Sequence, residues 1–250
     1  MAVDDGYTVA LLHMDGSDAS TTFTDESGKS WPVSGDAQID TAKSKFGGAS
    51  GLFDPAGDKI GTTSSTDFDM GTGDMTIDFW TWITSADDYM GLVNCWGSSD
   101  GYGIGLRSSG ASYVRWGDDG DQQGNVLTTG EWIHLAMVRH GNNGYLFENG
   151  VLEYTRDVTG ATIDESATKL MVMGVNSNTQ TLGFTGWLDE VRISKGIARW
   201  TSNFTPPTSA YSPASGWANI SKWNTIGQAD IATINTPVKA AISKIDDIAV

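Results

Sequence analysis

The sequence has little that would tie it down covalently or draw it to a polyanion. Cys95 is the single cysteine in 250 residues, so no intrachain disulfide forms and no oxidising compartment is implied. Lysine and arginine number 15 against 31 aspartates and glutamates, a formal charge of −16. That balance argues against nucleic acid, whose phosphates need clustered cations, and against an anionic lipid surface. Three histidines, His13, His134 and His140, come with no Cys/His cluster that could hold zinc. Cys95 has no evident His/Asp pairing and reads as a small buried hydrophobe. No window approaches the roughly 18 apolar residues of a membrane span. Residues Met1 to Gly6 show no basic stretch followed by an apolar one, so no secretory signal is read there. The expectation is a chain made in the cytoplasm that either stays there or leaves it inside something larger.

What is abundant points to short strands and tight turns. There are 31 glycines and 10 tryptophans, and 25 of the 31 acids are aspartate. Glycine supplies positive φ without steric cost, and aspartate prefers turns and caps to helices. From Tyr7 to about Ile193, short apolar runs alternate with Gly/Asp/Ser/Asn clusters, the pattern of an antiparallel sandwich or jelly roll. Met75–Ile83 alternates cleanly. Met75, Ile77, Phe79 and Ile83 share one face, and Thr76, Asp78, Trp80 and Trp82 the other. Trp132–Arg139 is apolar on both faces and reads as central. Tyr145–Glu148 and Val151–Tyr154 flank Asn149-Gly150, a hairpin signal because a type I′ turn needs positive φ at both central residues. Further strands are expected at Val9–Leu12, Ser50–Phe53, Met90–Asn94, Tyr102–Arg107, Tyr113–Trp116, Leu170–Gly174 and Phe184–Ile193. No stretch before residue 215 has helical periodicity. Sandwiches of roughly 200–250 residues commonly form one domain, so residues 1–211 are expected to be one.

The chain changes character near its end. Residues 205–213 form a proline-rich strap, kept extended because the residue before proline avoids the helical region. In residues 212–250, Ile220 and Trp223, Ile231 and Ile234, and Ile242 and Ile245 recur at an eleven-residue period, with Asn or Asp following each pair. Each unit is too short to bury its own apolar face, so the repeats must stack on themselves, on the sandwich or on a partner. Two readings stay open: a cap over the sandwich, or a dock to a larger particle.

Several segments together carry a family resemblance. They are Leu11–Ser17, Ser44–Asp54, Met75–Trp82, Glu131–Ala136, Tyr145–Gly150, Gly186–Ile193 and Lys195–Trp200. In this order and spacing they resemble the laminin G-like branch of the concanavalin A-like lectin/glucanase superfamily, with the closest look to copies in tailed-bacteriophage structural proteins. The terminal repeats are similar to short repeats near the ends of phage fibre and decoration proteins. The resemblance implies an all-β, two-sheet jelly roll that binds carbohydrate or protein without chemistry. It further implies a place on a virion, with other virion proteins and a host-surface glycan as partners. A purely structural decoration protein is the rival, and a glycan depolymerase the remote one. A homo-oligomer is compatible with a fibre, although no heptad or collagen-like stretch demands it.

The side chains narrow the chemistry. Superfamily glycosidases need two carboxylates flanking the scissile bond, usually as Glu-x-Asp-x-Glu; none of the six glutamates opens such a pattern. Asp78 is the lone acid on its strand. No catalytic residue is assigned. Calcium takes oxygen ligands from irregular loops. By resemblance, Asp15 and Asp189 would be its carboxylates, with a carbonyl near Gly48; otherwise Asp15 is a turn residue and Asp189 a hydrogen-bonded strand residue. Trp96, Tyr102 and Trp116, beside Asp118 in the acidic segment 117–121, would make a sugar-stacking platform, since sugars present apolar faces and hydroxyl edges. Against this, aromatics at these spacings in an all-β chain are more often core.

Overall fold

The fold was analysed in a computed structural model, which describes residues 6–54, 57–62, 65–85, 90–95, 101–117, 121–161, 163, 171–175 and 183–212. The chain divides into two units, Met1–Pro213 and Ala214–Val250. The second unit, with the expected docking residues Ile220, Trp223, Ile231, Ile234, Ile242 and Ile245, lies outside the described residues, as do Trp96 and Asp118.

Two antiparallel sheets form the first unit. The larger has eight strands: β13 (Val151–Asp157), β12 (Asn143–Glu148), β11 (Trp132–His140), β6 (Met75–Ser85), β15 (Thr185–Lys195), β4 (Ser50–Phe53) and β3 (Gln38–Asp40) in that order, with β1 (Thr8–Leu12) also on β15. The smaller has seven: β10 (Asp121–Val126), β9 (Ala111–Trp116), β8 (Tyr102–Leu106), β7 (Met90–Cys95), β14 (Met171–Met173), β5 (Lys59–Thr62) and β2 (Val33–Ser34). A single 3-10 turn, Thr66–Phe68, is the helical content among the described residues.

Alternation in the sequence becomes the sandwich. Met75, Ile77, Phe79 and Ile83 of β6 enter one core with Leu135 and Met137 of β11, and with Ile104, Val114 and Trp116 of the facing sheet. Asn149 and Gly150 have φ of 49° and 76° and leave Glu148 opposite Val151, the two-residue hairpin expected of that pair. Strands β2, β3, β5 and β10 were not legible in the sequence. The first three have two to four residues, and β10 is a polar, largely solvated edge.

Each sheet rim is managed. At one side the two sheets are joined by side chains: Ser112 donates to the buried Glu148, and the Tyr154 hydroxyl lies 2.6 Å from Gln122 Oε1. The open rim of β1 is taken up by Asp25, which accepts the Leu11 amide at 3.0 Å, and by Lys29, whose ammonium donates to Val9 O at 2.6 Å.

The outer face of the large sheet is unusual for a solvent side. Residues 197–212 cross it as a strap. Trp200 and Phe204 stack on each other, 3.9 Å apart, and pack over Ala136, Val138 and Phe147. The Phe204 amide donates to Gly150 O at 2.9 Å, which ties the strap to the hairpin turn.

Candidate functional site

Cross-strand register builds the site. On the outer face, Gln38, Leu52, Trp187, Trp82 and Trp132 stand directly opposite one another across β3, β4, β15, β6 and β11. All five are half-buried. Trp82 and Trp132 meet edge to face at 6.0 Å, and the Trp187 indole nitrogen donates to Asp40 Oδ2 at 2.8 Å. Two lysines from the loop before β4 lie on this face. Lys43 Nζ is 4.1 Å from the Trp82 ring centre and 5.1 Å from that of Trp187, and Lys45 Nζ is 3.8 Å from that of Trp80. Burial lowers the Lys45 pKa, partly offset by Asp189. A row of half-exposed indoles with a polar rim can stack the apolar face of a sugar ring and bind its hydroxyls.

The adjoining rows are closed by the strap. Arg192 donates to Asp78 through Nε and Nη2, both at 2.8 Å, and the Tyr211 hydroxyl donates to the same carboxylate. His134 Nε2 lies 3.5 Å from Asp78. Burial alone would raise the Asp78 pKa, but the Arg192 charge and the hydrogen bonds from His134 and Arg192 hold it well below the usual carboxylate range. Burial lowers His134 against the pull of Asp78, so it is neutral. Asp78, the lone acid of β6, is thus a buried structural anion. A cavity of ≈ 410 Å³ within the strap is walled by Trp200, Pro206, Pro207 and Tyr211, with Arg192 at its base.

A bulge in β15 generates a second cluster. Asp189 pairs with Trp80 and Arg192 with Asp78, so Glu190 and Val191 are taken up between them, with Glu190 at φ 51°. The Glu190 carboxylate accepts the Tyr211 amide at 2.7 Å and approaches His13 Nδ1 at 2.8 Å, which raises the His13 pKa. Beside it, Asp189 accepts the Lys45 and Phe46 amides on Oδ2, at 2.6 and 3.1 Å, while its buried Oδ1 has no partner. Burial drives the Asp189 carboxyl up to about 8, with Glu190 and Asp15 adding to the rise. Asp15 is also raised, first by burial. A Cβ at Gly47, where φ is 68°, would collide with the Asp15 carboxylate.

These residues fit a calcium ion. Asp15 and Asp189 are both raised, first by burial, Asp15 adds to the rise of Asp189, and Asp189 has an unpartnered buried oxygen; a glycine loop brings backbone close to Asp15. No group of three His, Cys, Asp or Glu side chains that could hold a metal exists among the described residues. Backbone carbonyls and water would supply the remaining oxygens, which suits calcium rather than zinc.

The sugar platform expected from the sequence requires correction. Tyr102 and Trp116 are fully buried, because the alternation of β8 and β9 turns both inward. The Tyr102 hydroxyl donates to Phe68 O at 2.7 Å. Neither can present a ring to a ligand. The row at Trp82 was half visible: alternation had put Trp80 and Trp82 opposite the core side of β6. Trp132, Trp187 and Lys43 were missed, since only strand pairing brings them together.

Two antiparallel sheets of this strand order, packed face to face, define a concanavalin A-like jelly roll. Residues 55–199 match the family model described as the concanavalin A-like lectin/glucanases superfamily, of laminin G type, and the chain belongs to that superfamily. No curated protein matches it. Among solved structures, the binding domain of Paraclostridial Mosquitocidal Protein 1 is similar at TM-score 0.60 and 17% identity, over 77% of this chain and 50% of that one. Domain 4 of AbnA, an extracellular arabinanase from Geobacillus stearothermophilus solved with arabinotriose, is similar at TM-score 0.57 and 18% identity, over 77% and 94%. The botulinum neurotoxin serotype D ligand-binding domain solved with N-acetylneuraminic acid gives 0.56 and 15%, over 78% and 49%. The chain thus spans about half the length of the two toxin domains.

Proposed function

We propose that this chain is a non-enzymatic carbohydrate-binding module. The observation that carries this reading is the run of Trp187, Trp82 and Trp132 side by side and only partly buried on one sheet face. Large apolar surface left open beside polar groups in a soluble domain marks a binding site. Structural neighbours bearing arabinotriose and N-acetylneuraminic acid support it as instances of sugar on this fold. The commitment of Asp78 to Arg192 and Tyr211 supports a role without catalysis. Glycan-array screening followed by calorimetry on Trp82→Ala and Trp187→Ala tests the site. Each variant should lose about 2 kcal/mol of binding, roughly thirtyfold, with unchanged unfolding midpoints. Full affinity in both would reject the row as the site.

In the same proposal, calcium is held by Asp15, Asp189 and a carbonyl near Gly48. Calcium at about a hundred times its Kd should add about 2.7 kcal/mol of stability, and Asp189→Asn should abolish that gain. The pH dependence has a definite sign. Asp189 is raised from 3.8 to about 8 on folding, so its cation-free contribution is full below pH 3.8 and is lost as pH rises towards 8. Calcium, which competes with that proton, should stabilise more at pH 8 than at pH 5. Thermal unfolding with calcium and with chelator at both pH values reads this directly.

The setting we propose is a virion surface, in a fibre, appendage or head decoration that adheres to host glycan. The resemblance to phage structural proteins and the eleven-residue repeats of the terminal segment support it. Those repeats also favour a second reading, a structural decoration protein whose sandwich only projects. Deleting residues 214–250 should abolish particle attachment and leave sugar binding intact; retained attachment rejects the docking role.

A further inference from the structure

We propose that the saccharide taken by the tryptophan row is acidic, its carboxylate bound by the Lys43 ammonium; this rests on the row being the glycan site. The chain carries 31 acidic residues against 15 lysines and arginines, so a cation that meets no anion is out of place in it. Among the other described cations, Lys45 alone shares this position, over the Trp80 ring, and several are committed to anions or carbonyls. Lys29 pairs with Asp67 at 2.8 Å, Arg192 with Asp78 at 2.8 Å, and Arg115 with Asp121 at 3.3 Å. Arg139 donates to Ala161 O at 2.7 Å, and Lys195 to Thr66 O at 2.6 Å. The Lys43 ammonium has neither carboxylate nor carbonyl among the described residues, and rests on the Trp82 and Trp187 rings.

Backbone, not the ammonium itself, puts it there. Lys43 O accepts the Ser50 hydroxyl at 2.8 Å, and two residues on, the Lys45 and Phe46 amides are held by Asp189. The charge is therefore delivered to the middle of the row by an anchored loop. Lys45 repeats the arrangement over Trp80.

This placement discriminates between ligands. A neutral sugar stacking on Trp82 must displace the ammonium from the ring and gives it no counter-charge. A sugar bearing a carboxylate draws the ammonium into a charge-assisted hydrogen bond and opens the indole face in the same movement. Asp40, bonded to the Trp187 nitrogen, repels a carboxylate at that end and sets the direction of the ligand along the row.

The test is a glycan array of acidic and neutral saccharides, then calorimetry on the best binder and its methyl ester. Wild type, Lys43→Ala, Lys43→Arg and Trp82→Ala are compared at low and high salt, each checked by thermal unfolding. The binders should carry a carboxylate, and esterification should weaken binding roughly tenfold, the worth of one such hydrogen bond. Lys43→Ala should lose the same factor and cease to distinguish acid from ester, while Lys43→Arg keeps the preference. Neutral binders that respond to Trp82→Ala but not to Lys43→Ala would overturn the acidic class and leave the glycan reading standing. A blank array together with a blank whole-cell pull-down would overturn both.

Discussion

Arg192→Met is expected to lower the stability of the sandwich by about 3–5 kcal/mol, the cost of leaving a fully buried carboxylate without its cation. Asp78 is held by three groups from three places in the chain: Arg192 on β15, His134 on β11 and Tyr211 at the end of the strap. The double variant Asp78→Leu/Arg192→Met should recover much of the loss, because no buried charge is then left without its partner at that position. Denaturant unfolding of wild type, single and double variants checks both statements. The acid limb of the pH profile follows from the same cluster. Asp78 titrates below its ordinary 3.8 when folded, so its stabilisation is complete above that pH and is lost as pH falls through the acid range. His134 is pushed below 6.5, so the unfolded chain takes a proton that the folded one refuses, and stability also declines as pH drops below 6.5. In Arg192→Met the Asp78 carboxyl should titrate higher, moving acid unfolding to higher pH.

Trp116→Ala should cost about 3–5 kcal/mol, the range for removing a large aromatic side chain from a packed core. Trp116 is fully buried, and its ring packs so closely on Gly144 that a Cβ there would lie 2.7 Å from it. Sugar affinity per folded molecule should be unchanged. That outcome separates Trp116 from Trp82, whose truncation should do the reverse. A Trp116→Ala protein of native stability that had lost its ligand would restore the platform expected from the sequence.

The contrast between these two tryptophans shows how far the sequence could be read. Period-2 alternation in β6 told core from outer face correctly for Phe79 and Trp82, because that strand is long and its core side is apolar except at Thr81. Tyr102–Leu106 and Tyr113–Val114 are entirely buried, and β9 carries a polar residue on each side, Ser112 and Arg115, so alternation could not say which way Trp116 points. Lys43 and Trp82 are 39 positions apart and meet only once β4 and β6 have both paired with β15. The hydrophobic staple of the strap was equally hidden. Residues 205–213 read as an extended exit, while their partners Trp200, Phe204 and Tyr211 act on a face that ordinarily meets water. Asp15 and Asp189 are singled out by family resemblance alone, and the bulge that inserts Glu190 next to Asp189 carries no glycine to announce it.

The treatment of the rims has a bearing on crowding. Strands β2 and β3 are two and three residues long, β1 is screened by Asp25 and Lys29, and β10 and β13 are bound to each other through side chains. Among the described residues, these features shorten or screen the edges on which a second molecule could add a strand. Were many copies displayed side by side on one support, as proposed above, these rims would oppose their fusing strand to strand into fibres.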